Sequence, residues 1–209
     1  MVKVGIISVD MGNVASIKNM IYQIGIESDL LRNPIDSIKY DWIILPGVGA
    51  YDNGINKLKE SGWFDWLKEN QSKNDNKSNV LGICLGMQLL CDGSEEGNLT
   101  GLGIIPGYFK RFHFEAAVSA LKIPHMCWNN AAFNESKIEW GKQINKQNPR
   151  YYFVHSYHYT NDKNDYIIGT TNYGYDFASA IKRDNVIGFQ FHPEKSHKYG
   201  KSLLSELFI

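Results

Sequence analysis

The stretch Asn79-Val80-Leu81-Gly82-Ile83-Cys84-Leu85-Gly86-Met87-Gln88-Leu89-Leu90 constrains this chain more than any other. It reads as a short buried strand, a sharp turn carrying one cysteine, and the start of an apolar helix. Gly82, Cys84 and Gly86 give it a G-x-C-x-G form, the logic of a nucleophile elbow: glycines remove side chains that would collide inside a tight strand-to-helix turn. Such a turn aims backbone N–H groups of a helix N-terminus at the sulfur and favours thiolate, the form that attacks a carbonyl carbon. The competing reading is a cysteine packed in an apolar strand.

The preceding residues supply the sheet that such an elbow needs. Val4 to Val9 is an unbroken apolar run, as expected of a parallel strand covered on both faces. After the turn at Asp10-Met11-Gly12-Asn13, Ala15, Ile17, Met20, Ile21 and Ile24 recur at helical spacing, and Gly25 ends the helix. Strands are predicted at 26–31 and 40–45, the second closing on Pro46-Gly47-Val48-Gly49. One helix is predicted over about 51–70, and the polar residues 70–79 form a solvated loop leading into the Cys84 strand. This alternation predicts an α/β fold with an open, mostly parallel sheet, flanked by helices on both faces. Chemistry in such sheets gathers at the carboxyl ends of the strands, which brings Gly47-Val48-Gly49 opposite Cys84. Glycines there let backbone N–H groups approach a reacting carbonyl, although the same four residues also suit an ordinary Pro-Gly turn.

The second half is β-rich. Segments 104–109, 151–158, 167–171, 178–182 and 186–191 are short, aromatic or β-branched, and separated by turn residues. They predict antiparallel strands packed on the parallel core, followed by a closing amphipathic helix over 200–209. With 209 residues and no internal repeat, a single domain spanning 1–209 is expected. Twenty-two basic and 22 acidic residues cancel, which provides no field for nucleic acid or an anionic membrane. Cys84, Cys91 and Cys127 are sparse and lack metal-ligand spacing, so neither a disulfide framework nor structural zinc is expected. The N-terminus lacks the pattern of a signal peptide and no run approaches membrane-spanning length; a cytoplasmic protein is expected.

Gly188-Phe189-Gln190-Phe191-His192-Pro193-Glu194-Lys195-Ser196 completes the chemistry. A strand stops at His192, Pro193 fixes the turn, and Glu194 can lie on the histidine's side of the chain. A thiol needs an imidazole to take its proton, and a carboxylate that fixes the imidazole's tautomer supports its charge.

These motifs carry a family resemblance. G-I-C-L-G-M-Q-L-L at 82–90, F-H-P-E-K-S at 191–196 and P-G-V-G at 46–49 are similar to the triad-type (class I) glutamine amidotransferases. G-L-G-I-I-P-G at 101–107, Pro124-His125-Met126 with Trp128-Asn129, and Tyr152 to Tyr157 narrow the likeness. They resemble the glutaminase subunits of imidazole glycerol phosphate synthases over nearly the whole chain. The resemblance implies that Cys84 forms a thioester with glutamine, that His192 shuttles protons and that Glu194 orients His192. It implies an oxyanion site from the Val48–Gly49 peptide and Leu85 N–H, with reorientation of the Val48 peptide. It gives Gln88, Glu96, Ser156 and Tyr157 a grip on the substrate, and places Asn13 and Lys195 near a docking face. Within Ser94-Glu95-Glu96 a solvated acidic loop also fits Glu96, and an exposed salt bridge also fits Lys195. Ammonia would pass to a (β/α)₈ barrel synthase in histidine biosynthesis, and no cofactor is implied. The chain departs from the family pattern at two places: Asp10-Met11 stands where glycines are usual, and Cys127 replaces a glycine. Residues 112–123 carry no usable motif. The rival readings are a related glutaminase serving amidation of a surface-polysaccharide sugar, a non-catalytic regulatory module, and a cysteine peptidase.

Overall fold

A computed structural model describes residues 2–34, 40–72, 77–115 and 121–208. Its first half runs β1 (Val4–Ile7), α1 (Val14–Tyr22), β2 (Ser28–Leu31), β3 (Trp42–Leu45), α2 (Tyr51–Glu60), α3 (Trp63–Ser72), β4 (Asn79–Ile83) and α4 (Leu85–Leu89). β1 is parallel to both β2 and β3, and β3 is parallel to β4. Both faces of β1, β3 and β4 are covered, successive side chains pointing to opposite sides. Val4, Ile6, Ile44 and Leu81 join α1 in one core, whereas Ile7, Ile43, Leu45 and Val80 join α2 and α3 in the other. The apolar runs seen in sequence are therefore two half-cores read alternately.

The second half runs β5 (Gly93–Ser94), β6 (Tyr108–Arg111), β7 (His125–Asn130), β8 (Ala132–Phe133), α5 (Gly141–Asn145), β9 (Arg150–His155), β10 (Tyr157–Thr160), β11 (Ile167–Tyr173), β12 (Tyr175–Arg183), β13 (Val186–Phe189) and α6 (His197–Leu207). Most of these strands extend the parallel sheet instead of stacking on it. β13 lies parallel to β4 and antiparallel to β12, giving an eleven-stranded sheet ordered β2-β1-β3-β4-β13-β12-β10-β6-β5 among the described residues, with β11 and β8 branching from β12. β7 and β9 form a separate antiparallel pair.

Several predicted boundaries move. The helix over 51–70 is two helices, because Gly62 takes φ +78° and the Ser61 hydroxyl donates to the Lys57 carbonyl at 2.7 Å. The strand over 151–158 breaks at Ser156 into β9 and β10, the 104–109 strand starts only at Tyr108, and the closing helix starts at His197. Of the predicted 70–79 loop, residues 73–76 lie outside the described residues, and so do 116–120 of the motif-free 112–123 region. No helix among the described residues is long and apolar enough to cross a membrane.

Candidate active site

The turn after β4 is as tight as its glycines imply. Cys84 sits at φ 55° and ψ −111° as the N-cap of α4, a strained setting of the kind found at nucleophile elbows. A Cβ on Gly86 would drive into the Leu45 carbonyl oxygen, and one on Gly82 would come within 2.6 Å of Leu90 Cδ1 and 2.8 Å of the Gly86 carbonyl. One on Gly47 would lie 2.5 Å from Gly86 N, so the end of β3 and the start of α4 touch backbone to backbone. The pairing of Ile83 with Phe189, and the 2.8 Å bond from Cys84 N–H to the Phe189 carbonyl, set the cysteine beside the residues that follow β13.

His192 is among those residues. Its Nδ1 lies 2.7 Å from Glu194 Oε1, and both side chains are almost wholly buried. Its backbone is held from two sides: its N–H donates to the Tyr152 carbonyl at 2.9 Å, and the Ser196 hydroxyl donates to its carbonyl at 2.6 Å. Ser196 Oγ also accepts from Tyr152 N–H at 3.1 Å, so the small β7–β9 sheet is tied to the histidine's turn. Burial acts to lower the imidazole's pKa, but interaction with Cys84 and Glu194 outweighs it and raises the value from 6.5 to about 10. Nε2 makes no hydrogen bond of ordinary length, so its contact with the thiol is looser than a bond, as is common before substrate tightens such a pair.

Cys84 and His192 line one cavity of about 300 Å³ together with Val48, Gly49, Leu85, Gln88, Glu96, Ser156 and Tyr157, at the small end of the range for small-molecule sites. The structure thus brings together every sequence-predicted catalytic, oxyanion and substrate residue, Glu194 standing directly behind His192. Leu85 N–H points at the Gly47 carbonyl at 3.3 Å. Val48 is 46% exposed between Gly47 and Gly49, the latter at φ +102°. Glu96 is held at the rim, its pKa raised chiefly by burial, opposed by a backbone hydrogen bond from Tyr51 and helped by Asp52. Asn13 and Lys195 lie outside the cavity. Asn13 caps α1, accepting from Ser16 N–H at 3.1 Å, and Lys195 Nζ sits 5.6 Å over the Tyr152 ring. Asp10, where a glycine-rich pattern was expected, adopts the left-handed φ of 55° that glycine favours and aspartate tolerates. Cys127 lies on β7 opposite Phe153, half-buried, with its thiol pushed up by burial.

Two groups escaped the sequence reading. Gln190 lies within reach of Cys84, and its place two residues before His192 in an extended chain was the signal that could have found it. The second is a buried histidine pair. His155 Nδ1 lies 2.7 Å from the Tyr157 carbonyl, His155 Nε2 lies 3.0 Å from His125 Nδ1, and Asn129 Nδ2 reaches His125 Nε2 at 3.3 Å. A carbonyl only accepts, so His155 carries its proton on Nδ1, which assigns the His125 proton to Nδ1 in turn. Burial lowers His125 to about 4 and His155 to about 3, keeping both neutral, as this one-directional chain requires. It ends on the backbone of Tyr157, at the cavity wall.

The sheet order sets an elbow cysteine and a glutamate-backed histidine after adjacent parallel strands, β4 and β13, the arrangement of a protein with a Cys-His-Glu site. The sequence model described as "Glutamine amidotransferase class-I" matches residues 7–209, and the chain belongs to that family. Imidazole glycerol phosphate synthase subunit HisH 2 of Methanococcus maripaludis is 45% identical over 206 residues, covering 99% of this chain and 98% of that protein. Subunit HisH of Sulfurimonas denitrificans is 41% identical over 202 residues, covering 96% and 95%. The solved PurLQS structure from Thermotoga maritima superposes with a TM-score of 0.71 over 99% of this chain and 97% of its own, at 18% identity, a likeness of fold.

Proposed function

We propose that this chain is the glutaminase subunit of an imidazole glycerol phosphate synthase, releasing ammonia from glutamine for use by a synthase partner in histidine biosynthesis. The observation that carries the reading is the single cavity lined by Cys84, His192 and Gln88, together with near full-length similarity to the two HisH subunits. A regulatory module has no use for a strained cysteine and a buried, glutamate-backed histidine. A cavity of this size suits an amino acid better than a peptide.

The chemistry follows from the geometry. The Cys84 thiolate attacks the side-chain amide carbon of glutamine, His192 protonates the departing nitrogen, and ammonia leaves a thioester. His192 then takes a proton from water, the hydroxide attacks the thioester carbon, and glutamate departs as the thiol re-forms. Glu194 keeps the His192 proton on Nδ1 and supports its charge. The developing oxyanion needs donors, yet Leu85 N–H is directed at the Gly47 carbonyl. The carbonyl in the way belongs to the Gly47–Val48 peptide, one before the Val48–Gly49 peptide that the resemblance implies. Rotating the Gly47–Val48 peptide moves that carbonyl away and turns Val48 N–H into the cavity, so one motion supplies two donors. The glycines on either side of Val48 ease that rotation. The partner is a (β/α)₈ barrel that receives ammonia across a face including Asn13 and Lys195.

Ammonia release from glutamine, measured with and without a histidine-pathway cyclase barrel and its ligand, tests the reading. Stimulation is expected, Cys84→Ala should abolish it, and His192→Asn should lower it on the order of 10³-fold. Turnover surviving in Cys84→Ala would sink the mechanism. No stimulation, with Cys84 still labelled by a glutamine-analogue electrophile, would reassign the chain to a different synthase.

A further inference from the structure

Gln190 is fully buried at the end of β13, held by a 2.9 Å bond from its backbone N–H to the Ser179 carbonyl. Its Nε2 lies 3.8 Å from Cys84 Sγ, and its Oε1 accepts from Gln88 Nε2 at 3.4 Å. The direction of this chain is set from the sulfur outward. Cys84 Sγ directs its S–H at the Val154 carbonyl, 3.9 Å away, which leaves the sulfur to accept from Gln190. A thiolate at the same place also only accepts, so the end of Gln190 that faces it is the amide N–H₂. Oε1 is then turned to Gln88, which must answer with its own N–H₂. Gln88 Oε1 is left over, buried and without a partner in the protein, on a residue that lines the cavity. A buried unpaired acceptor is costly unless something else meets it.

We infer that Gln190 is a positioning residue for the glutaminase reaction, acting at both ends of its amide. It steadies the attacking form of Cys84, and by fixing the orientation of Gln88 it presents Oε1 to an N–H donor of the substrate. This rests on the glutaminase reading. Because each amide has one donor end and one acceptor end, the state of the sulfur and the polarity of the binding wall are coupled. A thiolate that has lost its charge by forming the thioester holds Gln190 less firmly, and the grip on the acyl group slackens as ammonia leaves.

Two substitutions separate the two ends. Gln190→Leu keeps the volume and removes both bonds. Gln190→Glu keeps an acceptor for Gln88 but replaces the donor to sulfur with a carboxyl group, which as the stronger acid takes the single negative charge. The readouts are the pH midpoint of Cys84 alkylation by iodoacetamide, resolved from Cys91 and Cys127 by peptide mass, and the glutamine concentration that halves alkylation at fixed pH. Both variants should move the midpoint up by about one pH unit. Gln190→Leu should also raise the half-protecting concentration about tenfold, and Gln190→Glu by clearly less. A role confined to packing would lower the melting temperature without moving the midpoint. Folded variants with the wild-type midpoint and protection would overturn the inference while leaving the glutaminase reading intact. Failure of glutamine to protect wild-type Cys84 would overturn that reading itself. If Gln190→Leu does not fold, Gln190→Met, which also lacks both bonds, takes its place in both readouts.

Discussion

Cys84 is held in a backbone conformation that costs on the order of 1–3 kcal/mol for a residue with a side chain, and its neighbours leave it no alternative. Gly86 packs onto the Leu45 carbonyl with no room for a methyl group, because anything larger would part the end of β3 from the start of α4. Gly86→Ala should therefore destabilise the fold by about 3 kcal/mol or more, read as a lower urea midpoint, and should slow Cys84 alkylation in the protein that remains folded. Unchanged stability would mean that the turn can relax and that its strain is not enforced by packing.

At the scale of elements, the catalytic turn depends on a sheet to which it does not belong. β9 reaches the 193–196 turn through the Tyr152–His192 bridge, and the Ser196 hydroxyl serves both chains at once. Ser196→Ala leaves the Tyr152 N–H without its acceptor and should cost about 1–3 kcal/mol. The loosened His192 should lower the glutaminase rate by up to roughly 10²-fold. Thermal melting and partner-stimulated ammonia release measure the two effects; a rate that stayed normal would show that β9 does not position the histidine. This dependence was not legible in the sequence, because it arises from which strands meet. The elbow and the His192–Glu194 pair were legible because both lie in short local frames, a strand-turn-helix and a strand end. The split at Gly62 was not: Leu58, Trp63 and Leu67 continue an apolar helical pattern across it, and periodicity does not register a left-handed glycine within an amphipathic run. The His125–His155 pair needed the β7–β9 register, which sets those residues opposite each other from positions 30 apart.

For the whole molecule, three buried histidines set opposing limits on pH. His125 and His155 are neutral in the fold, with values lowered from 6.5 to about 4 and about 3. Below pH 6.5 the unfolded chain binds protons that the native state refuses, so their contribution is complete above 6.5 and is lost as pH falls toward 4. His192 is raised to about 10; its contribution is complete below 6.5 and is lost as pH rises through 10. Among these groups the stability maximum should fall near pH 6.5, measurable as the melting temperature across pH 4–10. His192→Asn should flatten the alkaline limb alone. The order of strands in the sheet carries one more consequence, which concerns time. β4 has β3 on one side from early in synthesis, but its other neighbour, β13, is contributed by residues that lie about a hundred positions later, as the 106-residue separation of Cys84 and Gln190 records. At ribosomal speeds of about 5–20 residues per second, the thiol emerges on the order of 5–20 s before its base. On the proposed chemistry, a nascent chain thus carries its nucleophile unarmed, and no glutamine can be hydrolysed until the sheet is closed.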